Sequence, residues 1–272
     1  MTIRNVLCIS LSLLLFALIS KAEAKLTKEQ IYSLFNQANE AFRQANSIKA
    51  DAESANKLYE NSILNYEKII SEGKISNPKL YYNLGNTYFL KGDLGRAILN
   101  YRRADKLDSG DRNIQKNLDF ARSKTIDRFQ VKSQEKVLQT LFFWHYDFPL
   151  KTKFVLACLS FATLCSALAV MIWFGRTAPV TATAVTGGIL LVCFITSVVL
   201  EANDRASRIC GVITAQEVIA RQGDGESYSA SFKDPLHAGT EFDLLEHRYG
   251  WLHIKLPDNS EGWIPKTTAD LI

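Results

Sequence analysis

The 272 residues allow about two compact domains, and a formal net charge of +4, dispersed along the chain, excludes a nucleic-acid surface as the organising feature. The five cysteines exclude a disulfide framework: Cys8 sits in an N-terminal apolar block, Cys158, Cys165 and Cys193 in two later ones, and only Cys210 in a soluble stretch. An apolar content of 47% hides its own distribution, because the apolar residues are concentrated in those three blocks.

The first block follows Arg4, runs over residues 6–19 and ends in Ala22-Glu23-Ala24 before Lys25, the small-x-small pattern of a signal-peptidase site. Residues 1–24 are therefore expected to be a removed signal peptide, with residue 25 onward outside the cytoplasm. The alternative, an uncleaved anchor, exports the same chain. Cys8 lacks the small-residue run of a lipobox, which argues against lipid attachment.

Residues 25–150 read as a helical domain with an internal repeat. Ile63-Leu64-Asn65-Tyr66 recurs as Ile98-Leu99-Asn100-Tyr101, and Asn83-Leu84 as Asn117-Leu118, shifts close to one 34-residue unit. Ala38-Asn39 with Phe42 corresponds to Gly85-Asn86 with Phe89 at a longer shift, which implies extra residues near 47–56 in the first unit. In the middle unit Tyr81, Leu84, Gly85, Tyr88, Gly92, Ala97, Tyr101 and Ala104 stand at the spacing of the tetratricopeptide repeat, which the unit resembles. Each position has a packing reason: Gly85 and Ala97 allow close helix approach, Tyr88 and Tyr101 fill the space between, and Gly92-Asp93 makes the turn. Asn77-Pro78 opens the unit, since proline suits a first helical turn. The third unit, from Asp111, soon turns polar, as a cap does.

That resemblance implies a solenoid whose concave face carries Phe35, Asn39, Tyr82, Asn83, Asn86 and Phe89. Asparagines there can hydrogen-bond an extended peptide, and aromatic rings can cover its side chains. The same asparagines can equally be ordinary solvated helix residues. Phe35 and Asn117 stand where a carboxylate clamp needs cations, so a full clamp is not expected. Tyr66, Tyr88 and Tyr101 are expected in the core.

Residues 137–148 gather Leu141, Phe142, Phe143, Trp144, Tyr146 and Phe148 just before a charge-free stretch. They read either as a segment at the headgroup boundary or as a final solenoid helix; His145 among them reads as incidental. Residues 154–174 and 177–200 are each long enough to cross about 30 Å of hydrocarbon. Only Gly175-Arg176 separates them, which implies a tight transmembrane hairpin within 151–201 and both soluble parts on one side. Small residues Ser160, Ser166, Ala182, Ala184 and Gly187-Gly188 offer faces for close packing, and the absence of intramembrane charge argues for an anchor over a transport path.

Residues 201–208 read as a polar linker. Beyond it the periodicity changes to short alternating runs, Val218-Ile219, Phe242-Asp243-Leu244-Leu245 and Trp251-Leu252-His253-Ile254, which predict a small all-β barrel over 209–272. Tyr249-Gly250-Trp251 and Glu261-Gly262-Trp263-Ile264-Pro265, two Gly-Trp steps around a hairpin turn at Pro257-Asp258-Asn259-Ser260, resemble the bacterial SH3 (SH3b) family. Trp263 is expected in the core and Trp251 is left as either core or a ligand platform. His237, His247 and His253 lack metal-ligand spacing.

No nucleophile setting, phosphate loop or carboxylate pair stands out, so no enzyme, cofactor or metal is expected. The fold class expected is a multidomain membrane protein: an all-α tetratricopeptide solenoid, a transmembrane helical hairpin and a small all-β SH3-like barrel. This order of parts resembles the BatE-like family of the Bat aerotolerance operons. The resemblance implies a scaffold in the cytoplasmic (inner) membrane, both soluble domains on the periplasmic side, acting in aerotolerance or oxidative and envelope stress. Implied partners are membrane-anchored von Willebrand A-type Bat proteins, a MoxR-type ATPase system and lipid. The rival readings are a peptidoglycan receptor acting through the SH3-like part and a regulatory subunit of a membrane complex.

Overall fold

A computed structural model describes residues 26–48, 51–129 and 140–272. The expected signal peptide and the first residues of the aromatic stretch, 137–139, lie outside them. The chain divides into two compact units, one ending at Ser76 and the other Asn77–Ile272, so the division falls inside the helical region.

In the first unit, α1 (Lys28–Ser47) and α2 (Ala52–Ser71) form a helical pair. Thr27 and Gln30 close a reciprocal capping box at the start of α1, and Asp51 accepts the Glu53 and Ser54 N–H groups at the start of α2. Ala38, Ala41 and Ala45 give α1 a smooth buried face, on which Tyr59, Ile63, Tyr66 and Ile69 of α2 are covered. Burial of each large side chain stabilises by about 1.5–3 kcal/mol. The extra residues expected near 47–56 are absorbed mainly by length: both helices have 20 residues, against 14 in each helix of the next pair.

In the second unit, α3 (Pro78–Lys91) and α4 (Leu94–Leu107) repeat the arrangement. Asn77 caps α3 with Pro78 in its first turn, and Gly92, at φ 90, ends it in the left-handed conformation that favours glycine. A Cβ on Gly85 would stand 2.8 Å from the Tyr101 ring, which is why the repeat needs glycine there. Tyr88 and Tyr101 are buried. A third helix, α5 (Arg112–Arg122), capped by Asp111, packs Ile114, Leu118 and Ala121 inward.

A short helix, α6 (Phe143–Tyr146), precedes α7 (Leu150–Phe174) and α8 (Ala178–Ser207), which pack against each other through Ala157, Ser160, Ala167, Ala184 and Gly187. Both helices are long and apolar enough to cross a membrane. Their outward faces carry exposed Phe154, Leu159, Phe161, Ile189, Val192 and Ile195. The linker expected at 201–208 is instead helix as far as Ser207, because this stretch contains no proline or glycine to stop it. At the open end of the pair Lys153, 1% exposed, reaches Glu201 at 2.5 Å and donates to the His145 carbonyl, while His145 Nδ1 lies 2.7 Å from Ser197 Oγ. His145 is therefore not incidental: it ties the aromatic helix to the hairpin.

Strands β1 (Cys210–Ile213), β4 (Glu241–Arg248), β5 (Trp251–Lys255), β6 (Glu261–Pro265) and β7 (Ala269–Leu271) form an antiparallel sheet in the order β6-β5-β4-β1-β7, and β2 (Glu217–Val218) pairs with β3 (Leu236–His237). The pairing establishes a small antiparallel sheet; β6 and β7, the ends of the ladder, are not paired with each other. Leu252 and Ile254 alternate inward on β5 and meet Ile213, Phe242 and Ile264 in the core. Asn259, at φ 68, with Asp258 Oδ1 accepting the Ser260 N–H, forms the expected β5–β6 turn.

The sheet docks on the second repeat through charge. Arg122 holds Glu241 bidentately at 2.6 and 3.0 Å, and Arg102 Nε stands 2.9 Å from the same carboxylate. Arg103 and Lys106 donate to the carbonyls of Leu271 and Ile272 on the β7 side. Gly95 lets α4 lie against β1: a Cβ there would be 2.6 Å from the Ile213 carbonyl oxygen. The α3–α5 helices and the sheet therefore pack on each other, and Lys151 at the start of α7 meets Asp108 at the end of α4 at 2.9 Å.

Candidate peptide-binding site

The six residues expected on the concave face divide between the two units. In the first, Phe35 packs edge-on against Tyr66 at 6.1 Å, and Asn39 Oδ1 accepts the Tyr66 hydroxyl at 2.6 Å. In the second, Tyr82 packs against Tyr101 at 6.1 Å and Asn86 Oδ1 accepts the Tyr101 hydroxyl at 2.7 Å. The two units thus build the same lock, an asparagine on the first helix holding a tyrosine on the second, at the positions the sequence repeat aligns.

Burial gives the lock its value. Tyr101 is 2% exposed and Tyr66 1%, and a buried hydroxyl without an acceptor costs about 1–3 kcal/mol. Burial, with the neighbouring Tyr82, pushes the Tyr101 phenol well up, although its contact with Asn117 pulls the other way. The ring is a neutral donor in the physiological range.

Asn117 on α5 extends the network: its amide donates to Tyr82 Oη at 3.0 Å and to Asn86 Oδ1 at 2.9 Å. Both lone pairs of Asn86 Oδ1 and both amide hydrogens of Asn117 are then engaged within the protein. These groups form the floor of the face and hold α3, α4 and α5 together, a structural role different from both the peptide-binding and the solvated readings expected for Asn86.

The aromatic rim lies beside that floor. Phe89 and Phe120 face each other at 5.6 Å, Phe120 is 53% exposed, and Lys124 Nζ lies 5.1 Å over its ring. Phe120 was missed by sequence reading, although a signal existed: it follows Asn117 by three residues, as Phe89 follows Asn86 and Phe42 follows Asn39. Asn83, also expected on the face, accepts the Thr87 hydroxyl through its backbone carbonyl at 2.8 Å.

Residues 78–111 match the tetratricopeptide repeat family. The match covers α3, the turn and α4, the segment where the Gly85–Tyr101 approach and the Asn86–Tyr101 lock are found. No curated protein matches the chain. The repeat is a protein-interaction module in general, and in this unit exposed Phe120 with half-buried Phe89 forms an aromatic edge.

On the sheet, Trp251 is half-buried opposite Arg248 and Pro265. Trp263 is the buried ring: His253 stacks on it at 4.6 Å with planes 6° apart, and the Arg248 guanidinium lies 5.1 Å from its centroid. Among the described residues no group of three or more His, Cys, Asp or Glu side chains is placed to hold a metal ion.

Proposed function

We propose that the protein is a non-catalytic, membrane-anchored interaction scaffold that takes a segment of a partner protein on the rim of its repeat. The observation that carries this reading is exposed Phe120 packed against half-buried Phe89, beside a floor whose polar groups are engaged within the protein. Such a floor is rigid, and a rigid aromatic surface loses little entropy when a ligand lands on it. The apolar outer faces of α7 and α8 favour lipid as their surroundings, and the docking of sheet on repeat supports one compartment for both soluble parts.

The order of parts, resembling the BatE-like family, favours the cytoplasmic membrane with a periplasmic exposure, and partners among membrane-anchored von Willebrand A-type proteins and a MoxR-type ATPase system in aerotolerance. The SH3-like reading of 209–272 rests on its two Gly-Trp steps together with the β5–β6 turn.

Photo-crosslinking from position 120 of the full chain in its native membrane tests the scaffold. The expected result is capture of a von Willebrand A-type membrane protein, lost in Phe89→Ala and absent from a crosslinker at exposed Glu226. Equal capture from both positions removes the reading. Saturable binding of the full chain to peptidoglycan, abolished by Trp251→Ala, would move recognition to the sheet.

A further inference from the structure

Along α5 and the turn that closes it, Lys116, Phe120 and Lys124 follow one another at four-residue spacing, which stacks them on one side of the helix. All three are exposed. The neighbouring row faces the other helices: Asn117 is engaged with Tyr82 and Asn86, and Ala121 is buried. Lys124 Nζ lies 5.1 Å over the Phe120 ring, and Phe89 of α3 meets that ring at 5.6 Å. The exposed row therefore presents one aromatic ring between two cations.

Charge on these two helices is of one sign. α3 contains Lys79 and Lys91 and no carboxylate, and the one carboxylate of α5, Asp119, meets Arg122 at 3.3 Å. Among the described residues neither Lys116 nor Lys124 stands in an ion pair. An ammonium has three donors and accepts nothing. A basic segment landing on Phe120 is repelled by both lysines, and a wholly apolar one takes water from them without replacing it. A segment carrying carboxylates is attracted and offers the missing acceptors.

Helix geometry sets the register of such a segment. At 1.5 Å per residue Lys124 stands about 12 Å along the axis from Lys116, with Phe120 midway. An extended chain rises about 3.3 Å per residue and directs alternate side chains to one face, so residues i, i+2 and i+4 span about 13 Å. Three successive same-face side chains thus match the row, whereas a helical segment would spread them over about nine residues. We infer that the rim takes an extended acidic segment of a partner protein, an aliphatic side chain on Phe120 and a carboxylate two residues to either side, on Lys116 and Lys124. This inference rests on the scaffold reading and names the chemistry of the segment that the scaffold holds.

The amidated peptide Gly-Ser-Asp-Ser-Leu-Ser-Asp-Ser-Gly, with a neutral dye on its N-terminus, tests it by fluorescence anisotropy against the full chain in nonionic detergent. Blocked ends leave the two aspartates as its charges. It is expected to bind about tenfold more tightly than the same peptide with lysine for both aspartates, or with serine for leucine. Lys116→Gln and Lys124→Gln should each weaken it about threefold, and Lys116→Glu with Lys124→Glu should turn the preference towards the lysine peptide. Both positions are exposed and outside ion pairs, so the fold stands in these variants; thermal unfolding checks this. Absence of saturable binding, equal binding of the acidic and lysine peptides, or a preference unchanged by the double Glu variant overturns the inference. Tighter binding of a helical peptide with its acids eight residues apart overturns the extended register. Photo-crosslinking from position 120 separates the two readings: a partner captured at undiminished yield in Lys116→Gln with Lys124→Gln refutes the acidic segment and leaves the scaffold, while crosslinks solely between two copies of the chain refute both.

Discussion

Asp127 Oδ1 stands 2.7 Å from Nδ1 of His237, a residue 110 positions further along the chain, and this contact fixes the end of the helical region to the sheet. Oδ2 of the same carboxylate accepts the His237 backbone N–H at 2.7 Å and the Thr240 hydroxyl at 2.5 Å. Burial alone would push the Asp127 carboxyl up, yet the hydrogen bonds from Thr240 and His237, with the charge of His237, hold it below the usual carboxylate range.

The sign of the pH dependence follows. A carboxyl depressed in the folded state contributes stability that is present above its unfolded value, about 3.9, and is lost as pH falls through the folded value. Docking is therefore expected to weaken only in strong acid. Asp127→Asn should remove that acid-range loss and weaken docking at neutral pH by about 1–3 kcal/mol, read as faster amide exchange in β3 and β4. Unchanged exchange would show that the contact carries no weight.

Lys153 and Glu201 form the second long-range lock. Lys153→Ala strands a largely buried carboxylate, and loss of one partner of such a pair costs about 3–5 kcal/mol. The full chain in detergent should unfold at clearly lower temperature. The exchanged pair, Lys153→Glu with Glu201→Lys, should recover part of the loss; a double variant no better than either single one would contradict the ion pair.

Asn86→Ala should act on stability before it acts on binding. It leaves the buried Tyr101 hydroxyl without its acceptor and removes one partner of Asn117, an expected loss of about 1–3 kcal/mol. Phe120→Ala, at a half-exposed ring, should cost stability little and partner capture much. Chemical denaturation alongside capture separates the two, and the opposite pattern would place recognition on the floor instead of the rim.

Gly95→Ala tests the docking surface. In a helix alone alanine is favoured over glycine by about 1 kcal/mol, but here the added Cβ meets the backbone carbonyl of Ile213. Overpacking of that kind costs about 1–3 kcal/mol, so the full chain should lose stability where local propensity predicts a gain. A stabilised variant would mean that α4 and β1 are not held this close.

The repeat was legible because its signals are local. Gly85 and Tyr101 lie sixteen residues apart in one helical pair, and the spacing that names the repeat is the spacing that lets their side chains meet. The part played by the asparagines was only half legible. The sequence placed Asn39 and Asn86 on the right helices, but an asparagine looks the same whether it faces solvent, ligand or a tyrosine hydroxyl. Phe120 escaped because its helix turns polar, although its spacing from Asn117 repeats that of Phe89 from Asn86. The linker expected at 201–208 failed for a related reason: polarity marks exposure and does not end a helix.

From the order of residues alone came the two apolar stretches, the repeat, and the change to alternating strands, since each depends on neighbours within a few turns. Tertiary structure alone decided that Arg102 and Arg122 close on Glu241, that Asp127 reaches His237, and that Lys153 is buried on Glu201. Charge pairs of that range have no periodicity to betray them: a surface arginine and a paired one are the same letter until the fold brings a carboxylate within 3 Å.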